Sequence, residues 1–286
     1  MQRALVTGAG GFVGQHLCRA LVARGVHVVG ATLGGAPERA TGSLTAVEWI
    51  DADLRDAERV AQVVERGRPD AVYHLAGVAL ISAAADRPLE TLQTNVGVSA
   101  LLLRQLASAR RAETCDARVL LIGSAQVYGR VETDAPISEP TPCRPRSFYA
   151  ASKLAQEAFG LEAWYGAGVP VVLARPFNHS GRGQSPTFLL PGLIGRLERA
   201  RRDGRIAIGN PSPVREYLHV EDVVEAYITL IERGQPGEAY NIATGNGVTV
   251  EGLVREVLAA AGVDARCETD PALVRPVDVP YLVGDG

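Results

Sequence analysis

Ala4-Leu5-Val6-Thr7-Gly8-Ala9-Gly10-Gly11-Phe12-Val13-Gly14 joins a short apolar run to a glycine-rich turn and then to a stretch of helical spacing. That succession reads as the first strand, turn and helix of an α/β unit. Glycines at such a turn let the backbone bend sharply. They also let a pyrophosphate approach the helix N-terminus, where unpaired N–H groups and the helix dipole favour negative charge. A third glycine permits close packing of helix on sheet. Gly8, Gly11 and Gly14, with Phe12 and Val13 between them, are therefore candidate cofactor-binding residues. Their spacing is G-x-x-G-x-x-G, not the G-x-G-x-x-G of ordinary dinucleotide folds.

Downstream, β-branched runs at 3–7, 27–32, 71–75, 118–124 and 169–175 have the length of buried parallel strands. Helical spacing fills 12–24, 56–65, 88–111 and 149–165 between them, with one more helix at 220–232 and a strand at 239–242. Strand–helix alternation of this kind predicts an α/β fold, a Rossmann-type doubly wound parallel sheet. Pro136, Pro140, Pro142 and Pro145 mark 125–147 as a long loop, because proline continues neither a helix nor a central strand. The expected division is a dinucleotide-binding domain of 1–177 and 216–242, with a smaller, discontinuous substrate-binding domain of 178–215 and 243–286.

The second strand ends at Thr32, where an acidic residue would accept hydrogen bonds from the adenosine ribose if NAD were preferred. No carboxylate stands there to repel a 2′-phosphate, and the nearest arginine is Arg39, so both NADP(H) and NAD(H) remain open.

Tyr149 and Lys153 stand at i and i+4 near the start of a helix, which puts both on one face. A tyrosine has an ordinary pKa of about 10, and an adjacent ammonium favours its phenolate, so a lowered phenol pKa is expected here. Ser124 ends the fourth of those strands, at the carboxyl edge where open α/β sheets bind ligands, with its hydroxyl available to a carbonyl oxygen. Ser124, Tyr149 and Lys153 are the candidate catalytic group.

A net charge of −3 gives no footprint for nucleic acid. No apolar run approaches the ~20 residues of a membrane span, and the opening on a strand-like run makes the absence of a signal peptide the expectation. Cys18, Cys115, Cys143 and Cys267 are far apart and read as reduced thiols. Histidines 16, 27, 74, 179 and 219 lack ligand spacing, so no metal is expected, and His74 reads as a packed strand-end residue. A soluble, cytoplasmic protein is the expectation.

Thr7-Gly8-x-x-Gly11-x-x-Gly14, Asp53-Leu54, His74-Leu75-Ala76-Gly77, Asn95, Ser124-x-x-Val127-Tyr128-Gly129, Tyr149-x-x-x-Lys153 and Arg175-Pro176-Phe177-Asn178 occur in one order along the chain. Together they resemble the extended short-chain dehydrogenase/reductase family of nucleotide-sugar enzymes. The resemblance implies that Asp53 and Leu54 flank the adenine, that Leu75, Ala76 and Gly77 run along the cofactor, and that Pro176 and Phe177 border the nicotinamide. Residues 177–184, 139–142 and 273–280 further resemble the branch that reduces GDP-linked 6-deoxy-4-keto sugars.

That branch implies a nucleotide-sugar substrate, with Asn178 contacting it and Arg215 and Arg275 clamping its diphosphate. Sugar 4,6-dehydratases of the family carry an acidic residue where this chain has Gln126, so reduction of a C4 ketone is expected over loss of water. The alternatives are a nucleotide-sugar 4-epimerase, a GDP-mannose 4,6-dehydratase, and, in another class, a nonenzymatic NAD(P)-sensing regulator. Ala79 stands where relatives place a hydroxyl toward the substrate. Relatives also continue with a further helix after the position of Gly286, and commonly pair two long helices into a homodimer, here 88–111 and 149–165.

Overall fold

The computed structural model describes all residues of 1–286 except 38–39, 133–134 and 275–277. Its main sheet has seven parallel strands: β1 (Arg3–Thr7), β2 (His27–Thr32), β3 (Glu48–Asp51), β4 (Ala71–His74), β5 (Arg118–Ile122), β6 (Val171–Pro176) and β7 (Ala239–Ile242). Their order is β7-β6-β5-β4-β1-β2-β3. Strand order therefore reverses between β1 and β4, and a crevice opens at their carboxyl ends, where such sheets bind ligands.

The sheet is covered on both faces, so its strands are apolar in both directions. Val6, Val28, Tyr73, Leu120 and Val172 point into one buried cluster with the helices Phe12–Ala23 and Val220–Arg233. Leu5, Val29, Val72, Leu121 and Leu173 point into the other, against Ala57–Gly67, Val98–Arg111 and Phe148–Ala167. A third cluster stands apart from the sheet. It is built by Leu193, Ala200, Ile206, Ile208, Val254 and Leu258 from the helices Leu189–Ile194, Leu197–Asp203 and Val250–Ala260 and the strand Arg205–Ile208.

Two elements depart from the sequence expectation. The strand β3 occupies Glu-Trp-Ile-Asp at the sheet edge, a run too short and too polar to stand out from its neighbours. The long helix expected over 88–111 is broken into Pro88–Leu92, a π-helical turn Gln93–Gly97 and Val98–Arg111. Extra residues of this kind inside a helix recur at functional sites. Here the turn carries the buried Asn95, whose Oδ1 accepts from Val78 N at 2.7 Å and whose Nδ2 donates to Ser152 Oγ at 2.9 Å.

The proline-rich stretch expected as a loop does run without long elements, but it is firmly held. Arg175 on β6 donates to both carboxylate oxygens of Glu157, to the Tyr128 hydroxyl and to the Glu139 carbonyl. Tyr128 in turn donates to Asn241 Oδ1 at 2.7 Å. This buried ion pair and its satellites fix the loop against β6, β7 and the helix Phe148–Ala167. Among the described residues no helix is long and apolar enough to cross a membrane, and none of the His, Cys, Asp and Glu side chains cluster as a metal site.

Candidate active site

A single cavity of about 1390 Å³ runs from the glycine turn, across the carboxyl ends of β1, β4, β5 and β6, into the region of the third apolar cluster. Gly8, Gly11, Phe12, Val13 and Gly14 wall one end of it. The helix that follows has Gly11 as its N-cap with no side-chain hydrogen bond, and no acidic residue in its first turn. Its first N–H groups are thus left for a ligand, and an anion suits them. The turn tolerates nothing larger than glycine at two places. Gly8 has φ +68° and a Cβ there would lie 2.8 Å from Ala76 N, while a Cβ at Gly14 would lie 2.4 Å from the Gly8 carbonyl oxygen. These features fit a dinucleotide pyrophosphate.

Leu75, Ala76 and Gly77 continue the wall from the end of β4, and Pro176 and Phe177 face them from the end of β6. Thr32, Asp53 and Leu54 do not wall the cavity. Thr32 lies against Gly10, where a Cβ would stand 2.6 Å from its Oγ1. Asp53 is half-buried and paired with Arg55, and Leu54 is buried among the helices of the second cluster. Phe12 closes over the turn by stacking on His179 at 6.4 Å, and His16 Nε2 donates to the Arg182 carbonyl at 2.9 Å.

Ser124, Tyr149 and Lys153 converge at the middle of the cavity. Ser124 caps the short helical turn Ala125–Tyr128 by accepting from Gln126 N, which aims Gln126 into the same space. Tyr149 and Lys153 stand on the first turns of Phe148–Ala167, which Ser147 caps through Ala150 N at 3.1 Å. Lys153 is only 5% exposed, and its Nζ donates to the Ile122 carbonyl at 2.8 Å and to Gln156 Oε1 at 2.9 Å. Burial brings its pKa down to about 8, with Glu157 opposing.

The Tyr149 phenol behaves differently from the sequence expectation. Burial raises its pKa, and the facing Ser124 hydroxyl, not Lys153, is what draws it down. The physical reason is that the Lys153 ammonium is turned onto Ile122 and Gln156.

Further along, Asn178, Arg196, Arg215 and Asp278 contribute to the cavity wall. Asn178 Nδ2 donates to the Glu216 carbonyl at 3.2 Å. Arg215 is largely buried and its Nη2 donates to Asp278 Oδ1 at 2.7 Å, which holds the guanidinium in place. Arg275 and Arg39 lie outside the described residues. Ala79 walls the cavity along with Val78, Leu80 and Ile81, an apolar strip at the position where the family resemblance implies a hydroxyl.

Three features of the site escaped the sequence reading. Tyr227 lines the cavity from Val220–Arg233, yet its helical spacing with Val220, Val223 and Val224 is that of an ordinary core residue. Gln156 and Ser99 carry no motif at all. Lys153, however, had a signal that could have been used: it is the only lysine in the chain, every other basic position being arginine.

Residues 4–243 match the family model described as NAD dependent epimerase/dehydratase family. A GDP-6-deoxy-D-mannose reductase from Pseudomonas aeruginosa is 34% identical over 278 residues, covering 96% of this chain and 85% of that one. A dTDP-D-glucose 4,6-dehydratase from Homo sapiens is 29% identical, covering 90% of this chain and 73% of that one. Among solved structures, RMD from Pseudomonas aeruginosa complexed with NADPH superimposes with a TM-score of 0.83 at 31% identity, covering 100% of this chain and 90% of that one. The chain belongs to the NAD dependent epimerase/dehydratase family, the extended short-chain dehydrogenase/reductases, and is an NAD(P)-dependent enzyme of nucleotide-sugar chemistry.

Proposed function

We propose that this enzyme reduces the C4 ketone of a GDP-linked 6-deoxy-4-keto sugar, GDP-4-keto-6-deoxy-D-mannose, to GDP-D-rhamnose. The observation that carries this reading is the inventory of charge in the cavity. Among the described residues that wall it, Asp278 is the one carboxylate, and that carboxylate is tied to Arg215. Elimination of water from a sugar requires a group that takes a proton from carbon, and the Gln126 amide beside Ser124 has no such capacity. Reduction of a ketone asks less of the protein: a polarised oxygen and one proton.

Bound NAD(P)H supplies the hydride. Gly8, Gly11, Phe12, Val13 and Gly14 hold its pyrophosphate, and Leu75, Ala76, Gly77, Pro176 and Phe177 line the rest of its bed. Ser124 donates its hydroxyl hydrogen to the ketone oxygen. Tyr149 passes the phenolic proton to that oxygen as negative charge develops on it. Lys153, with two of its protons engaged by Ile122 and Gln156, presents the third to the cavity and brings positive charge to its middle, where negative charge develops during reduction. Arg215 and Arg196 bring positive charge to the far half, where a diphosphate fits, each guanidinium oriented by its own bonds, Arg215 to Val214 and Asp278 and Arg196 to Gly192 and Ala207. The third apolar cluster is, in this reading, the core of the substrate-binding lobe, and Asn178 touches the sugar. The GDP base rests on the likeness to the 34% identical reductase.

We read the protein further as a cytoplasmic homodimer. Leu89, Leu92, Phe148 and Phe159 are exposed on the helices over the second cluster, and a twofold pairing there would cover them. A 4-epimerase would use the same three catalytic residues but return the hydride, consuming no reduced cofactor.

Incubation with GDP-4-keto-6-deoxy-D-mannose and reduced cofactor should yield a product heavier by two hydrogens. GDP-mannose with oxidised cofactor should be recovered unchanged; its dehydration would overturn the reading.

A further inference from the structure

We propose that Gln156 is a positioning residue for Lys153, its amide fixed in one orientation by a buried hydrogen-bond chain that runs through Ser99 and His74 to Thr7 at the foot of the glycine turn. The proposal rests on Lys153 belonging to the catalytic group. It adds a device that neither the Tyr–Lys spacing nor the glycine turn contains.

The direction of each bond follows from the donors available. Ser99 Oγ donates its single hydrogen to the Asn95 carbonyl at 2.6 Å. It can then only accept from its two other neighbours. One is Gln156 Nε2 at 2.9 Å, the other His74 Nε2 at 2.8 Å. His74 must therefore carry its hydrogen on Nε2, which leaves Nδ1 to accept from Thr7 Oγ1 at 2.7 Å. Thr7 Oγ1 accepts in turn from Ala76 N at 3.2 Å.

Because Ser99 can only accept, the Gln156 amide must present Nε2 to it, and its Oε1 is thereby aimed at the Lys153 ammonium, 2.9 Å away. Reversal of the amide would set an NH₂ group against an NH₃⁺ group and bring two acceptors, Gln156 Oε1 and Ser99 Oγ, against each other. Thr7, His74, Ser99 and Gln156 are all fully buried, so water does not offer a substitute partner.

The consequence is a fixed assignment of the Lys153 protons. Ile122 and Gln156 take two, and the third is presented to whatever occupies the cavity. The chain also ties two distant parts of the site together. Thr7 and His74 are paired neighbours on β1 and β4, so the phosphate turn and the lysine share one rigid network.

The ionisable groups around Lys153 among the described residues are Tyr149 and Glu157 on its own helix, His74 on β4, and Arg175 on β6, which is locked to Glu157. Burial holds His74 neutral, with its pKa down to about 3. Gln156 is thus the nearest polar side chain whose charge can be changed without breaking the Glu157–Arg175 pair.

The test uses the fact that Lys153 is the only lysine in the chain. Incorporation of lysine labelled with ¹³C at Cε and ¹⁵N at Nζ gives one side-chain resonance, whose titration reads this ammonium, with all its protons in place, in the cofactor-free protein. Gln156→Glu should move the midpoint up by one pH unit or more, and shift the pH profile of kcat/KM in the same direction. Gln156→Met, similar in size but without the acceptor, should move the midpoint down. Ser99→Ala, which frees the amide to turn, should follow Gln156→Met to a smaller extent.

Folded Gln156→Glu and Gln156→Met proteins that both titrate within 0.2 pH unit of the parent would overturn the proposal. The titration needs no substrate. An enzyme inactive on every 4-keto sugar nucleotide would therefore refute the proposed function while leaving this readout intact.

Discussion

The Lys153 ammonium is tethered at 2.8 Å to the carbonyl of Ile122, the last residue of β5, two positions before Ser124. The sole lysine and the serine are thus set by one strand end. Burial depresses Lys153 from 10.5 to about 8, so between those values the folded chain binds fewer protons than the unfolded one. Stability contributed through this group therefore rises as pH climbs from about 8 to 10.5, and below that window the buried charge is a standing cost. Lys153→Met should flatten that part of the stability–pH curve, as read by urea midpoints. In the parent protein an amine-directed acylating reagent should modify Lys153 with a half-rise near pH 8, and bound NADPH or NADH should protect it. Peptide mapping separates it from the Met1 amine. A half-rise near 10.5 would show the amine to be solvated.

Removal of the proton donor should be the most damaging single change to turnover. Tyr149→Phe is expected to lower kcat by ~10²–10⁴-fold, the range for loss of a positioned acid. Ser124→Ala should fall in the lower part of that range, since it removes one polarising hydrogen bond and leaves the acid in place. Equilibrium binding of reduced cofactor, followed by its fluorescence, should change less than threefold in Ser124→Ala.

The glycine turn makes a separable prediction. Gly14→Ala places a methyl group 2.4 Å from the Gly8 carbonyl oxygen, so helix Phe12–Ala23 must shift away from the turn. Cofactor affinity should weaken at least about tenfold, or ~1.4 kcal/mol. Gly25→Ala, at φ +75° with open space around it, is the control: it carries the backbone strain without the clash, and cofactor affinity should stay at the parent value.

Ion pairs in this protein should differ sharply in worth. Glu157 and Arg175 are buried together, with side chains 2% and 10% exposed. Glu157→Gln leaves the Arg175 guanidinium without its counter-charge, a loss of about 3–5 kcal/mol by comparison with other buried pairs. Arg24 and Glu225 form an exposed pair, and Glu225→Gln should cost under ~1 kcal/mol. Denaturant midpoints of the two variants, at equal slope, check the contrast.

Most of the sheet could be read from sequence because its strands are buried on both faces and hence continuously apolar, as in Leu5-Val6 and Val119-Leu120-Leu121. Edge strand β3 could not, because one half-buried tetrapeptide carries no such continuity. Gly8, Ser124, Tyr149 and Lys153 announced themselves by spacing, and the fold brings them to one cavity. Gln156, Ser99 and His74 did not, since their role lies in hydrogen-bond directions across three elements that are 82 residues apart at their extremes in the chain. The break at Asn95 was equally hidden: an asparagine within helical spacing gives no warning that its side chain will hold Val78 instead. The lowered phenol pKa expected for Tyr149 failed because sequence spacing places Lys153 nearby but does not say which way its ammonium turns.

The most direct test is the oxidation of NADPH and of NADH, in parallel, with enzymatically prepared GDP-4-keto-6-deoxy-D-mannose. The expected result is one reduced cofactor consumed per sugar nucleotide, with GDP-D-rhamnose as product and loss of the activity in Tyr149→Phe. Conversion of the sugar without net consumption of either cofactor, or full activity in Tyr149→Phe, would contradict the proposed reduction.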